Sequence, residues 1–437
     1  MFEYKIKKNY TYLFFNSDID MFNHLDILLK DGYIITDSVY LCVELFKNNH
    51  YYLLSYLYVD NVDLNIKKSI KALYKKHNIT YPDYNKTVLG VISAIRNNFN
   101  YDYKYPINNK IFDKKYKKVI LLILDGLGLN VLNNNLDDNS FLKRNLLTTA
   151  VSIYPSTTAA ATTSIKSGLS PISTGWTGWE NYLKEIDRNV VLFTGVNYYN
   201  DEPTGISLYN YIPVSAFYSD MDVKGYIVEP DFSKHDYDVD EVLNKSLKIN
   251  KQDEEQIQYV YFHEPDSIMH GYGCYSNEAM VICNDIDEKL EKFVEKLSDD
   301  TILIITADHG HTNTKQINLY GCRPILELLE RNPSNDGRCI TFKVKENNKK
   351  KFEILFNSLF KDIYKLYKTD EAIKLGFFGL ENDYYNTRCD DFLADYIAVA
   401  TNEYYFAYKE NPTFTFKSHH AGITSDEMII PICVFRK

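Results

Sequence analysis

Four short apolar runs constrain the fold of this chain more than any other feature of its sequence. The clearest is Val119–Leu124, six consecutive branched apolar residues that are followed at once by Asp125 and Gly126. A run of this kind, bounded by charge and by a turn signal, is typical of a strand buried on both faces. Runs of the same character occur at Val190–Val196, Tyr259–Asp266 and Thr301–Gly310.

Helical periodicity separates the last two of these runs. Between Asn277 and Asp300, apolar residues recur at spacings of three and four, with charged residues on the other face. Strand, helix and strand in this order favour a right-handed crossover and a parallel sheet. We therefore predict an α/β fold with a largely parallel central sheet sandwiched by helices, and a further strand at Met428–Phe435.

The composition excludes several other classes of protein. With 437 residues, 45% of them apolar and 25% charged, the chain has ordinary globular values and can bury a sizeable core. Its most apolar stretch is far shorter than the roughly 20 residues of a membrane-spanning helix, and we predict neither a span nor a signal peptide. The seven cysteines are scattered singly, as reduced thiols usually are, and we expect a cytoplasmic protein.

The net charge of −10 argues against a protein that wraps nucleic acid by neutralising its phosphates. The charge is also uneven along the chain. Residues 1–118 carry +6 and the remainder carries −16. The mildly basic N-terminal part is therefore a separate piece, and its charge has no explanation in the sequence.

The chain divides into two regions of different character. Residues 1–80 contain strand-like aromatic runs at Thr11–Phe15 and Tyr51–Val59 and a polar helical stretch at Asn65–His77. They hold no cluster of reactive residues, and we predict an N-terminal extension or small α/β domain of unknown role. Residues 81–437 form the main domain. Within it, 320–418 is longer than a strand crossover needs and is predicted to be an inserted lobe over the active site.

Three of these four runs end in an acid or in an acid and a histidine. Ligands of open parallel sheets bind at the carboxyl ends of the strands, where such side chains converge. Each residue alone has an ordinary interpretation as a turn, a helix cap or a surface residue. Their co-occurrence instead predicts a site for a zinc-like ion, because carboxylates and imidazoles are its usual oxygen and nitrogen ligands. The residues concerned are Asp125, Asp266 with His270, Asp308 with His309, and the pair His419 and His420.

A second cluster lies at Tyr154–Pro171. Ser156, Thr157 and Thr158 form a natural helix N-cap, and Gly168 is a natural stop. A hydroxyl at a helix N-terminus lies where backbone N–H groups favour anions, and a metal beside it would make it a nucleophile. The alternative is a capped helix whose small residues serve close packing.

These motifs in this order resemble the alkaline phosphatase superfamily, most closely its type I phosphodiesterase/nucleotide pyrophosphatase branch. The resemblance runs from about Val119 to the C-terminus, is weaker from about Tyr81, and leaves residues 1–80 unexplained. It implies an alkaline-phosphatase-like hydrolase domain over residues 81–437. The matching motifs are ILDGLG, YPSTTAAATTSIKSG, HEPDSIMHGYG, ITADHGHT and SHHAGITSDEM.

The resemblance implies two divalent metal ions, zinc first and manganese as the alternative. One ion would be held by Asp266, His270 and a late histidine, which is His420 rather than His419 because a small residue follows it. The other would be held by Asp125, Asp308, His309 and the nucleophile hydroxyl. The family spacing from Gly168 gives Thr158 as the nucleophile, with Thr157 as the fallback.

The implied function is a two-metal phosphoester hydrolase of phosphodiesterase or nucleotide pyrophosphatase type that acts through a phosphothreonine intermediate on a small-molecule phosphoester. A phosphomonoesterase or phosphotransferase on the same scaffold remains an alternative, and a non-catalytic metal-containing binding module is a weaker one. The sulfatase motif and the serine motifs of related branches are absent. One departure weakens a nucleotide substrate: Ala161 stands where the family has a phosphate-contacting Asn.

Three further residues are candidates for substrate contacts. Trp176 and Trp179 lie in the loop after the nucleophile helix and could stack on a ring, although such residues more often pack in a core. His311, two residues beyond His309, could line the same pocket.

Overall fold

The computed structural model describes residues 2–7, 9–56, 76–107, 110–233, 238–410 and 414–437. Its central sheet has six strands, and the four that pair first in this order are parallel. The fifth strand is antiparallel to both of its neighbours. The predicted α/β fold with a largely parallel sheet is therefore confirmed. The order is Lys224–Val228, Gln256–Phe262, Lys118–Leu124, Thr301–Thr306, Ile429–Arg436 and Leu146–Val151.

Helices cover the central sheet and complete its core. The helix Asn277–Glu295 begins at Ser276, whose side chain accepts a hydrogen bond from the N–H of Ala279, and it buries its apolar stripe, as its periodicity predicted. All seven residues of the strand Lys118–Leu124 are buried. The other helices of this region are Leu89–Asn98, Leu129–Asn135, Phe141–Arg144, Thr158–Ser167, Pro171–Thr174, Leu208–Tyr211, Val239–Asn250, Asp266–Tyr272 and Ser425–Met428.

A second, antiparallel sheet also has six strands. Four of them come from residues 320–418, and the other two from residues 180–191. The segment predicted to be an inserted lobe thus shares its sheet with the chain that follows the helix Thr158–Ser167. The order is Tyr364–Lys368, Tyr396–Ala400, Cys339–Phe342, Ser334–Asp336, Glu180–Leu183 and Arg188–Val191.

The run Val190–Val196 does not form a strand of the parallel sheet, and that expectation was wrong. The strand ends at Val191 and belongs to the second sheet. A tight turn follows, in which the N–H of Gly195 bonds to the carbonyl of Val191 and Gly195 has φ 68°. Val190, Val191 and Leu192 are nevertheless buried, and Val190 and Leu192 pack into a core with Trp176.

In the residues that the structure describes, the N-terminal region forms a five-stranded sheet and the helix Asp18–Lys30. The helix packs against residues 317–408, and its Phe22 ring lies 6.2 Å from that of Phe360. The two predicted aromatic runs supply strands, whereas 57–59 at the end of the second run and 65–75 of the predicted helical stretch lie outside the described residues. The strand order is Phe2–Lys7, Tyr10–Phe14, His50–Ser55, Cys42–Lys47 and Ile34–Val39.

Shorter elements link these layers. Thr312–Asn313 pairs with Ser418–His419, and Lys315–Asn318 pairs with Tyr404–Ala407. In the part of the chain that the structure describes, no helix has the length and apolarity needed to cross a bilayer. The remaining helices are Leu319–Gly321, Arg323–Leu326, Glu346–Asn348, Lys349–Phe360, Thr369–Lys374 and Cys389–Phe392.

Candidate metal centre and active site

Three neighbouring strands of the central sheet lead to acidic residues at one edge. Asp125 and Asp308 follow their strands closely, and Asp266 begins the helix after the third strand. These strands are parallel and adjacent, so their carboxyl ends lie side by side. The fold thereby brings the three carboxylates together.

The first candidate metal group contains Asp266, His270 and His420. His270 lies one turn after Asp266 on the same helix, and its Nε2 is 3.4 Å from Oδ2 of Asp266. His420 follows the short strand Ser418–His419, and its Nε2 is 3.6 Å from Oδ1 of Asp266. His311 also lies within reach of this group.

The second group contains Asp125, Asp308 and His309, with the hydroxyl of Thr158 beside it. Nε2 of His309 is 3.3 Å from Oδ1 of Asp125 and 3.4 Å from Oδ2 of Asp308. Oγ1 of Thr158 is 3.1 Å from the same nitrogen and 3.5 Å from Oδ1 of Asp125. Four potential ligand atoms therefore surround one position.

The distances in both groups fit a shared ion. Two ligand atoms that each lie 2.0–2.2 Å from a tetrahedral ion are about 3.4 Å apart, close to every separation above. Oδ2 of Asp308 is buried without a hydrogen-bond partner. Burying an ionised oxygen in this way costs free energy unless a positive charge lies beside it. The residues present therefore fit a divalent metal in each group.

The electrostatics of the carboxylates also favour bound cations. Burial, together with the charges of Asp308 and Asp266, raises the pKa of Asp125 well above its ordinary value. Burial likewise raises the pKa of Asp308, against the opposing effect of His309. Cations at this edge would offset the repulsion and favour the ionised, metal-binding form of each acid.

The three histidines of these groups are oriented by backbone carbonyls. Nδ1 of His270 lies 3.0 Å from the Ser418 carbonyl, and Nδ1 of His309 lies 3.1 Å from the Gly310 carbonyl. Nδ1 of His420 lies 3.1 Å from the Ser156 carbonyl. A carbonyl only accepts, so each Nδ1 carries a proton and each neutral ring presents the Nε2 lone pair. This hydrogen-bonding pattern is typical of metal-ligating histidine.

The hydroxyls of the two neighbouring threonines have different partners. Thr158 is the first residue of the helix Thr158–Ser167, and its hydroxyl faces the second metal group. Thr157 is the N-cap residue, but its hydroxyl donates 3.2 Å to Oδ2 of Asp336 and does not cap the helix. The helix ends at Gly168, which has φ 72°, as the sequence predicted.

The rings of the two neighbouring histidines point in different directions. Nδ1 of His419 accepts a hydrogen bond of 2.9 Å from the N–H of His420, and its Nε2 is 3.9 Å from Oδ1 of Asp336. His419 therefore turns away from the metal groups, whereas His420 faces them. The N–H of Ala421 and Nδ1 of His420 both bond to the Ser156 carbonyl, which fixes this loop beside the start of the helix Thr158–Ser167.

Residues 119–423 match the family model described as type I phosphodiesterase / nucleotide pyrophosphatase. The chain belongs to this family. It is accordingly a metal-dependent phosphoric ester hydrolase, and the match includes all the residues of both metal groups. No curated protein sequence matches the chain significantly.

Solved structures of this type I phosphodiesterase fold are similar to the chain. Murine ectonucleotide pyrophosphatase / phosphodiesterase 5 is 15% identical with a TM-score of 0.56, over 73% of this chain and 88% of that one. The human form is 16% identical with a TM-score of 0.56, over 73% and 89%. Phosphonoacetate hydrolase from Sinorhizobium meliloti 1021, in complex with phosphonoformate, is 15% identical with a TM-score of 0.54, over 73% and 90%.

One contact in this phosphodiesterase site was not anticipated from the sequence. The Tyr261 hydroxyl donates to Oδ2 of Asp125, which leaves Oδ1 for the second metal group. Tyr261 lies on the strand Gln256–Phe262, which leads to Asp266. Because side chains alternate along a strand, Tyr261 lies on the same face of the sheet as the buried Tyr259. That alternation was the only available signal, and it does not reveal the hydrogen bond.

The two tryptophans have different environments. Trp176 is fully buried beside Ala159, and its indole N–H donates 3.1 Å to the Ile212 carbonyl, so neither ring face is open to a ligand. The expected substrate contact of Trp176 therefore does not fit this structure. Trp179 is 37% exposed and packs edge-on against Phe193.

Proposed function

We propose that the chain hydrolyses small-molecule phosphodiesters or nucleotide-type pyrophosphates, with Thr158 as the nucleophile. The observation that carries this proposal is the position of the Thr158 hydroxyl. It lies 3.1 Å from Nε2 of His309 and 3.5 Å from Oδ1 of Asp125, so it completes the second metal group. A buried hydroxyl among metal ligands is suited to attack on phosphorus rather than to helix capping.

The proposed ligand sets leave room for substrate. Asp266, His270 and His420 would hold one ion with three protein atoms, as in catalytic zinc sites. Asp125, Asp308, His309 and Thr158 would hold the other. Zinc, or manganese in its place, would lower the pKa of the nucleophile and stabilise charge on the attacking and departing oxygens.

The Thr158 hydroxyl would lose its proton and form a bond from Oγ1 to phosphorus, while the bond to the departing alcohol or phosphate breaks. Water would then hydrolyse the phosphothreonine and restore the hydroxyl. An inactive threonine-to-alanine variant of murine ectonucleotide pyrophosphatase / phosphodiesterase 5 has been solved in complex with AMP. That precedent supports both a threonine nucleophile and a nucleotide ligand.

The start of the nucleophile helix offers a substitute for the missing Asn. Ala161 is fully buried in the main core and has no polar side-chain atom. The side chain of Thr157 bonds to Asp336, so no side chain caps the first turn of the helix. The uncapped N–H groups of this turn are suited to hold a phosphoryl oxygen. Trp179 stays a candidate contact for the rest of the substrate.

The test compares bis-p-nitrophenyl phosphate with p-nitrophenyl phosphate on metal-stripped protein, with and without added Zn²⁺ or Mn²⁺. We expect no hydrolysis without metal, recovery on metal addition, and faster cleavage of the diester. Metal-stripped protein that remains folded yet inactive would exclude ions of purely structural role. Faster cleavage of the monoester would contradict the diesterase proposal and favour the phosphomonoesterase alternative.

A further inference from the structure

His311 is a fully buried imidazole between the two metal groups, and the proposed reaction gives it no role. Its ring centroid lies 4.8 Å from that of His270, 5.1 Å from that of His420 and 5.7 Å from that of His309. By proximity alone it could be a fourth ligand of the first group. Such a site would be closed, because four protein ligands fill a tetrahedral ion and leave no position for substrate.

The distances decide between a ligand and a hydrogen-bond donor. Nε2 of His311 lies 2.5 Å from Oδ1 of Asp266. Nε2 of His270 and of His420 lie 3.4 Å and 3.6 Å from oxygens of the same carboxylate. Two ligands of one ion are about 3.4 Å apart, whereas 2.5 Å is the separation of a strong hydrogen bond.

The other ring nitrogen of His311 is held by Ser418. Oγ of Ser418 donates its proton to the Met269 carbonyl at 2.7 Å, so Nδ1 of His311, which lies 3.0 Å from Oγ, donates to it. The Ser418 carbonyl lies 3.0 Å from Nδ1 of His270. Ser418 therefore orients both His270 and His311, one through its carbonyl and the other through its hydroxyl.

We infer that His311 is a positioning residue, whose ring carries a proton on both nitrogens and donates a hydrogen bond from Nε2 to Oδ1 of Asp266, which fixes that carboxylate toward the first ion. Only Asp266, His270 and His420 then remain as protein ligands, and the fourth position stays open for substrate. This inference rests on the proposed function, which supplies the two ions. It assigns His311 a contact with a metal ligand instead of a contact with the substrate.

The test measures zinc affinity by competition with a chelating dye, and no substrate is needed. His311→Leu removes the donor and should weaken one of the two zinc sites by about 10–100-fold. His311→Gln keeps an N–H donor of similar reach and should recover most of the loss. His77→Leu is the matched control, because His77 pairs with Glu403 at 2.9 Å outside the site and its loss should leave zinc affinity unchanged.

Visible absorption of the cobalt(II)-substituted protein distinguishes positioning from ligation. A positioning His311 predicts the same four-coordinate spectrum in wild type, His311→Gln and His311→Leu. A changed spectrum in both variants would identify a lost ligand and overturn the inference, as would wild-type zinc affinity in His311→Leu. If His311→Leu does not fold, Ser418→Ala should still weaken zinc binding, and unchanged affinity there would overturn the inference.

The binding data also separate this inference from the proposed function. Protein that binds two zinc ions and shows the His311 effect, yet hydrolyses no phosphoester, would retain the inference and refute the function. Active protein whose zinc affinity is unchanged in His311→Leu would support the function and refute the inference.

Discussion

Two regions of this molecule bury several acids, and they manage the charge in different ways. At the edge of the central sheet, Asp125, Asp266 and Asp308 face one another and three histidine lone pairs. The other region is what we term the acid–arginine cluster, which consists of the buried residues Glu180, Asp336, Arg338 and Glu427. Both groups of acids are largely removed from solvent, so burial alone does not distinguish a metal site.

The acid–arginine cluster is neutralised from within. Arg338 binds Glu427 through two contacts of 2.6 and 2.7 Å, and this partner lowers the pKa of Glu427 although burial alone would raise it. Burial raises the pKa of Glu180 to about 8 and that of Asp336 to about 7. In this cluster, Glu427 is therefore neutralised by an arginine, and the raised pKa values of Glu180 and Asp336 favour neutralisation by a proton. The edge of the central sheet offers histidine lone pairs instead, and these mark a cation site.

The largest effect should come from the nucleophile. Thr158→Ala should lower hydrolysis of bis-p-nitrophenyl phosphate by at least about a thousandfold, because the alanine side chain has no oxygen to attack phosphorus. Metal analysis should still find both ions, since three ligands of the second group remain. A variant that kept the wild-type rate would show that Thr158 is not the nucleophile.

Breaking the acid–arginine cluster should affect stability rather than chemistry. Arg338→Leu leaves Glu427 buried and uncompensated and should lower the free energy of unfolding by about 3–5 kcal/mol in urea titrations. Adding Glu427→Gln to this variant should recover part of the loss. A loss below about 1 kcal/mol would mean that the ion pair is not the main means of neutralisation there.

Glu180 tests whether an acid of the cluster keeps its proton. Its folded pKa of about 8 lies above its ordinary value of 4.5, so wild type should lose stability as pH rises from about 4.5 to about 8. Glu180→Gln cannot ionise and should be more stable than wild type at pH 8 by up to about 4 kcal/mol, with no advantage at pH 4. Equal pH dependence of the two proteins in urea unfolding would contradict a protonated Glu180.

The smallest effect should come from the link between the two regions. Thr157→Val removes the hydrogen bond to Asp336 and should cost about 1 kcal/mol of stability. Because Thr158 keeps its place, hydrolysis should fall far less than in Thr158→Ala. Comparable losses of activity in the two variants would show that the second threonine also takes part in the reaction.

The sequence predicted those parts of the fold that depend on local pattern. The buried strand Lys118–Leu124 and the helix Asn277–Glu295 are indicated by apolar runs and periodicity. The run Val190–Val196 misled for the same reason, since an apolar run looks alike in a parallel strand and in a packed turn. The shared core of the N-terminal helix and residues 317–408 depends on contacts distant in sequence, which no local pattern reveals.

The candidate site shows the same division. Strand ends and spacing were enough to nominate Asp125, Asp266 and Asp308. The choice between Thr157 and Thr158 needs the direction of each hydroxyl, and the role of His311 needs the distance from its Nε2 to Asp266, which is 2.5 Å rather than the 3.4 Å of His270. Trp176 could be assigned to the core only when its surroundings were known, because both roles suit an aromatic ring.

His420 precedes the antiparallel strand Ile429–Arg436 and bonds to the Ser156 carbonyl, so it joins residues that were synthesised long before it. During translation, the acids at the ends of the parallel strands emerge first and must wait for this strand to pair between Thr301–Thr306 and Leu146–Val151. A nascent chain therefore has no complete site until residue 436 is available, so hydrolysis begins only after the whole sheet has closed.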